Sequence, residues 1–227
     1  MTVLGQSEQQ SLFPSMNLSS TETKIFKKLN TPQKIQDFLN SLPLNFEDPE
    51  ETCYSPRVVL QKNTCHCMEG AMLGAAILQF HKHKPLVMDL KTNGKDDDHI
   101  VALFKINNHW GALSKTNHSV LRYREPVYKT LRELAMSYFH EYFTDDGKKV
   151  MRSYSIPIDV SRFDTIHWIT SEQNLWEIPQ YIDSARHIPI ITTSMIAQLR
   201  KADGIEIKAG KLREWRLKNW QKQKKQA

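Results

Sequence analysis

Residues 61–71 read Gln-Lys-Asn-Thr-Cys-His-Cys-Met-Glu-Gly-Ala, residues 96–104 read Asp-Asp-Asp-His-Ile-Val-Ala-Leu-Phe, and residues 108–117 read Asn-His-Trp-Gly-Ala-Leu-Ser-Lys-Thr-Asn. The first stretch opens a long run, Cys65 to His81. Ala71, Leu73, Gly74, Ala75, Ala76, Ile77 and Leu78 leave that run almost no polar face. A helix apolar all round belongs inside a protein, so the run predicts a buried helix with thiols at its start. His99 opens a β-rich segment, 99–105, 32 residues after Cys67. Asn107-Asn108 suits a hairpin turn, so residues 110–114 return beside it and bring polar groups back toward His99.

Outward from this centre, Thr31-Pro32 reads as a helix start, and Ile35, Phe38, Leu39 and Leu42 follow on one face until Pro43. A loop rich in Glu, Asp and Pro spans about 45–57. Residues 85–90 read as a short apolar strand. Residues 128–143 read as a helix with Leu131, Leu134, Ala135, Tyr138, Phe139 and Tyr142 on one face, ended by Thr144-Asp145-Asp146-Gly147. Residues 150–170 have no clear period, and 173–186 and 193–202 read as helices. Helices first and then neighbouring strands predict an α+β fold: a central buried helix on a small antiparallel sheet, with extra C-terminal helices. The expected organisation is a flexible N-terminal arm over 1–22, one domain over 23–205, and a basic C-terminal helix over 206–227.

The chain has 227 residues, a net charge of +6 and a mean hydropathy of −0.53. A chain of this length buries roughly 70% of its unfolded surface and needs neither disulfides nor a metal to fold. It has no apolar run of ~18 residues, so no transmembrane helix is expected. The opening residues show no basic start and apolar core, so no secretory signal is expected. Three cysteines, an odd number, suggest reduced thiols and a cytoplasmic setting. Residues 208–227 hold six lysines and two arginines against one glutamate, a balance of +7, which leaves the rest of the chain near −1. The basic character therefore belongs to the tail.

A thiol at a helix start meets unpaired N–H groups and a positive dipole end, which favour the thiolate. The same N–H groups can hold an oxyanion. An imidazole can take and return the proton, and a third group must fix its tautomer.

Cys67-Met-Glu-Gly-Ala71, His99 on one strand and Trp110 on the next resemble the transglutaminase-like superfamily of cysteine acyl-transfer enzymes, whose fold is papain-like, and more closely a bacterial branch of it. The resemblance covers about residues 52–143. It implies a Cys nucleophile at Cys67, a proton-shuttling His99, and an Asp four residues past the Trp. Here that position is Ser114, and Asn117 stands three further on. An Asn amide can orient a histidine as in papain-like proteases, so Asn117 is ranked above Ser114 for that role. Cys65 is a second candidate thiol. Gln61, six residues before Cys67, has the spacing of a papain-like oxyanion donor. The implied activity is cysteine-dependent hydrolysis of, or acyl transfer from, a peptide or small amide, with no cofactor.

Other readings stand beside this one. The fold could serve as a binding module without turnover, since the third position lacks its Asp. Cys65-His66-Cys67 and His81-Lys-His83 gather metal-ligand types, but Cys-x-Cys at a helix start points its thiols apart, and no metal is expected. His109 and His118 read as solvated, Asp96-Asp97-Asp98 as a turn, and Arg122 to Pro126 as a connection held by local ion pairs. The tail sets Leu212, Trp215 and Trp220 amid positive charge, which would suit an anionic membrane, RNA or protein partner.

Overall fold

The computed structural model describes residues 16–214. The chain forms eight α-helices among these residues: α1 Ser20–Lys28, α2 Pro32–Ser41, α3 Pro56–Lys62, α4 Cys67–Phe80, α5 Leu131–Phe139, α6 Glu177–Ser184, α7 Thr193–Ala197 and α8 Gly204–Gly210. Its strands are β1 Leu86–Lys91, β2 His99–Ile106, β3 His109–Ser114, β4 Arg124–Tyr128, β5 Ser153–Ser155, β6 Ile158–Asp159 and β7 His187–Pro189. They make one antiparallel sheet in the order β4-β3-β2-β1-β5-β7, with β6 also on β1. The architecture is α+β, and the sheet is larger than expected because residues 150–190 add three strands.

Alternation along the central strands explains the layers. Val87, Ile100, Ala102, Phe104 and Leu113 face α4, whose other sides are covered by α2 and α3, with Phe26 of α1 against its C-terminal end. Met88, Leu90, Val101, Leu103 and Ala112 face α5 and the chain that follows it. With cover on every side, twelve of the fourteen α4 residues are buried. A methyl group on Gly70 would lie 2.5 Å from Lys115 Cβ, so the missing side chain lets the start of α4 approach the end of β3 closely.

Several expectations change. Helix α1 begins at Ser20, inside the stretch expected to be a loose arm. Ser19 caps it in a capping box with Glu22, and Glu22 reaches Arg57 at 2.7 Å. The Pro56–Lys62 stretch is a helix because Ser55 caps it and Pro56 fits its first turn. Arg124 to Tyr128 is an edge strand rather than a connection. Of the basic C-terminal helix, α8 ends at Gly210, and Trp215 and Trp220 lie outside the described residues. Among the described residues, no helix is long and apolar enough to cross a membrane.

Candidate active site

Cys67 is the first residue of α4, and His66 is its N-cap. The cap forms because His66 Nδ1 accepts from the Met68 amide at 3.3 Å, while Glu69 reaches back to the His66 amide at 3.0 Å. The thiol faces a cavity of about 690 Å³ whose lining includes His66, His99, Lys115 and His118. Burial alone would push the Cys67 thiol up, but the neighbouring His66 and His99 rings outweigh it and hold the thiol down at about 5. Cys53 and Cys65, buried without such partners, are each pushed up to about 12. One of three thiols is thus set apart by its neighbours.

His99 stands at the head of β2 and is buried. Its Nε2 lies 2.8 Å from Ser114 Oγ. Ser114 donates its own hydroxyl proton to the Leu121 carbonyl, so Oγ accepts from His99 and Nε2 carries a proton. That arrangement leaves Nδ1 as the nitrogen free to serve the thiol. Two supports fix Ser114 in turn. Gln36 brackets its backbone, accepting from Ser114 N–H at 2.9 Å and donating to its carbonyl at 2.8 Å. Leu121 is held at φ +60°, unusual for a non-glycine residue, by its N–H bond to Glu141 at 2.9 Å, and Arg124 grips Glu141 at 2.7 Å.

Behind His66 lies Glu69, which is fully buried. Its carboxylate accepts from Thr52 Oγ1 at 2.7 Å, the Tyr54 amide at 2.9 Å and Asn45 Nδ2 at 3.2 Å, besides the His66 amide. His66 Nε2 points between the Thr52 carbonyl at 3.0 Å and Glu69 Oε1 at 3.3 Å. These bonds hold the carboxylate below its ordinary range although burial opposes them.

The sequence-derived candidates divide. Cys67, His99 and Ser114 come together. Asn117 lines the cavity, but its side-chain amide turns to the Glu214 carbonyl at 3.4 Å, so Ser114 rather than Asn117 supports His99. Gln61 is exposed on the last turn of α3 and donates to Glu172 at 3.4 Å; the left-handed turn at Asn63 separates it from Cys67. Cys65 is sealed under Gly70, away from the cavity lining. Trp110 sits at the far end of β3 with Lys105 5.0 Å over its ring. His118 is half-buried in the cavity wall rather than solvated. The metal-ligand triplets fall at opposite ends of α4, where His81 bonds the Phe26 carbonyl at 2.8 Å.

His66, Glu69 and Gln36 carry much of the geometry and were not singled out as site residues. The capping-box spacing His66-x-x-Glu69 was the legible signal for two of them. Compared with known proteins, the chain matches none of the family models and no curated sequence.

Proposed function

We propose that the protein is a cysteine-dependent acyl-transfer enzyme of transglutaminase-like type, hydrolysing a peptide or small amide or passing its acyl group to an amine. The observation that carries this reading is one thiol at a helix start that shares the lining of a 690 Å³ cavity with two imidazoles, which favour its thiolate. Cys67 attacks the carbonyl carbon, and first-turn amides of α4 receive the oxyanion. His99 gives a proton to the leaving amine and later takes one from the accepting water or amine. Ser114 fixes the ring for both steps.

The test uses p-nitrophenyl acetate, an activated acyl donor, on the full chain. Expected are a burst of p-nitrophenol and one acetyl group mapped by mass spectrometry to Cys67, absent in Cys67→Ser and slowed in His99→Ala. Acetylation spread over lysines with Cys67 unmodified would overturn the reading.

A further inference from the structure

Residues 203–214 lie against the Cys67 cavity, and Ile207, Gly210 and Arg213 form part of its wall. Helix α8, which opens this stretch, buries none of its residues, and Ile205 and Leu212 stand 77% and 66% exposed. The stretch therefore belongs to neither core cluster. Its ties to the body are polar. Around an antiparallel bridge between His118 and Arg213, the Ser119 amide donates to the Leu212 carbonyl at 3.1 Å, and the Glu214 amide donates to the Asn117 carbonyl at 2.7 Å. The Ser119 hydroxyl donates to the Ala209 carbonyl at 2.6 Å, and Arg213 pairs with Asp145 at 2.8 Å. Apolar contact is slight: Ile207 approaches Gly147, and Gly210 approaches Phe143.

A segment held by exposed hydrogen bonds, with little apolar area behind it, opens locally at the low end of a protein's stability range. An exposed ion pair such as Arg213–Asp145 adds little to its hold. The change of character falls at Ala202, which is buried and whose amide donates to the Gly147 carbonyl at 2.9 Å. Two residues on, Gly204 has open space where a side chain would lie. The chain can pivot there without disturbing α4 or the sheet. We propose that residues 203–214 are a strap over the Cys67 cavity: shut, it lets small amides reach the thiol, and lifted, it admits a polypeptide segment. For what passes through, this inference rests on the acyl-transfer reading above; the gate itself is a claim about the cavity. Lifting also frees the Asn117 carbonyl and the Ser119 amide, now spent on Glu214 and Leu212, beside the cavity. An incoming extended backbone can pair with that edge as the strap does.

The other walls of the cavity are tied down. Helix α4 and strand β2 belong to the core. The loop at 44–47 is held by the Asn45 amide on the Cys65 carbonyl at 3.1 Å, by Asn45 Nδ2 on Thr52 Oγ1 at 2.7 Å and by the Thr52 amide on Glu47 at 3.1 Å. Tyr142 is buried and donates to the Asp97 carbonyl. A change in access therefore falls on the strap.

The bridge itself supplies a lock. His118 and Arg213 form a non-hydrogen-bonded antiparallel pair, whose Cα atoms lie about 4.5 Å apart, within reach of a disulfide. The experiment labels the full chain carrying His118→Cys and Arg213→Cys, oxidised and reduced, with N-ethylmaleimide and with the much larger fluorescein maleimide. Mass spectrometry maps the 118–213 disulfide and follows labelling at Cys67. Expected is fluorescein maleimide slowed at Cys67 roughly tenfold or more by oxidation and restored by reduction, while N-ethylmaleimide changes less than about twofold. Equal slowing of both reagents, or of neither, would overturn the proposal. If the disulfide does not form, Ser119→Ala with Asp145→Asn loosens the strap instead. Fluorescein maleimide should then gain on N-ethylmaleimide at Cys67 relative to the wild type, and an unchanged ratio overturns the proposal. The p-nitrophenyl acetate burst judges the other reading separately. Its absence in the wild type sinks acyl transfer and leaves the strap to the maleimides; its presence with no size-dependent effect of the lock keeps acyl transfer and removes the strap.

Discussion

Replacing Ser114 tests whether its hydroxyl is what holds His99. The Oγ makes two buried bonds, accepting from His99 Nε2 at 2.8 Å and donating to the Leu121 carbonyl. Ser114→Ala removes both and leaves a buried N–H and a buried C=O, each costing about 1–3 kcal/mol. A total of about 2–6 kcal/mol in a chain of this size lowers the melting temperature by roughly 5–25 °C. With the ring unanchored, acylation by p-nitrophenyl acetate should slow about ten- to hundredfold, less than the roughly 10⁴-fold known where a charged third member is lost. Ser114→Asp sharpens the test. It installs the carboxylate expected from the family pattern, yet a carboxylate cannot donate to the Leu121 carbonyl and faces it as a second acceptor. Ser114→Asp should therefore melt no higher than Ser114→Ala and regain no rate. The assays are thermal melting by circular dichroism and stopped-flow acylation. A Ser114→Ala protein with wild-type melting and rate, or a Ser114→Asp protein more active than the wild type, would refute the reasoning.

Three further outcomes follow from the same geometry. Gly70→Ala sets a methyl group 2.5 Å from Lys115 Cβ, on a side chain pinned at its far end by the Leu39 and Leu42 carbonyls. It should cost about 1–3 kcal/mol, read as a lower urea midpoint, and an unchanged midpoint contradicts the close crossing of α4 and β3. Stability should also depend on pH through the Cys67–His66 pair. The depressed thiol contributes stability that is present above its ordinary 9 and lost as pH falls through 5. The raised imidazole contributes stability that is present below its ordinary 6.5 and lost as pH rises through 11. The two slopes cancel between 6.5 and 9, so the pair's contribution is flat there, falls by about 2 kcal/mol on acidification to 5, and falls again toward 11. Urea unfolding across this range should lose its plateau in His66→Asn, and an identical profile in wild type and variant speaks against the pair. Finally, Cys53 and Cys65 should resist iodoacetamide in the folded protein until it unfolds, since each is buried and held up at about 12; early labelling of either, mapped by mass spectrometry, contradicts the sealed core.

The centre of the fold was legible because strong local signals agreed there. The unbroken apolar run after Cys67 could only be a buried helix, and Asn107-Asn108, both with positive φ, turn β2 into β3. Strands β5, β6 and β7 were not legible: two or three residues long, they carry no period, and their pairing with β1 and with one another supplies the order. At the site, Cys67 and His99 declared themselves by type and position. The Asn117 assignment failed because sequence distance cannot show that the chain turns away after Ser114, sending Asn117 toward Glu214. His66 was hidden by its double duty as helix cap and thiol neighbour. Glu69 read as an ordinary first-turn acid until Thr52, Tyr54 and Asn45 were seen around it.

The most direct measurement of the central claim is the ultraviolet thiolate absorbance of the native protein across pH, taken as the difference from Cys67→Ser. The account predicts a single step near pH 5, with one full thiolate already present at neutrality. A difference spectrum without a step below the ordinary thiol value of 9 would contradict it.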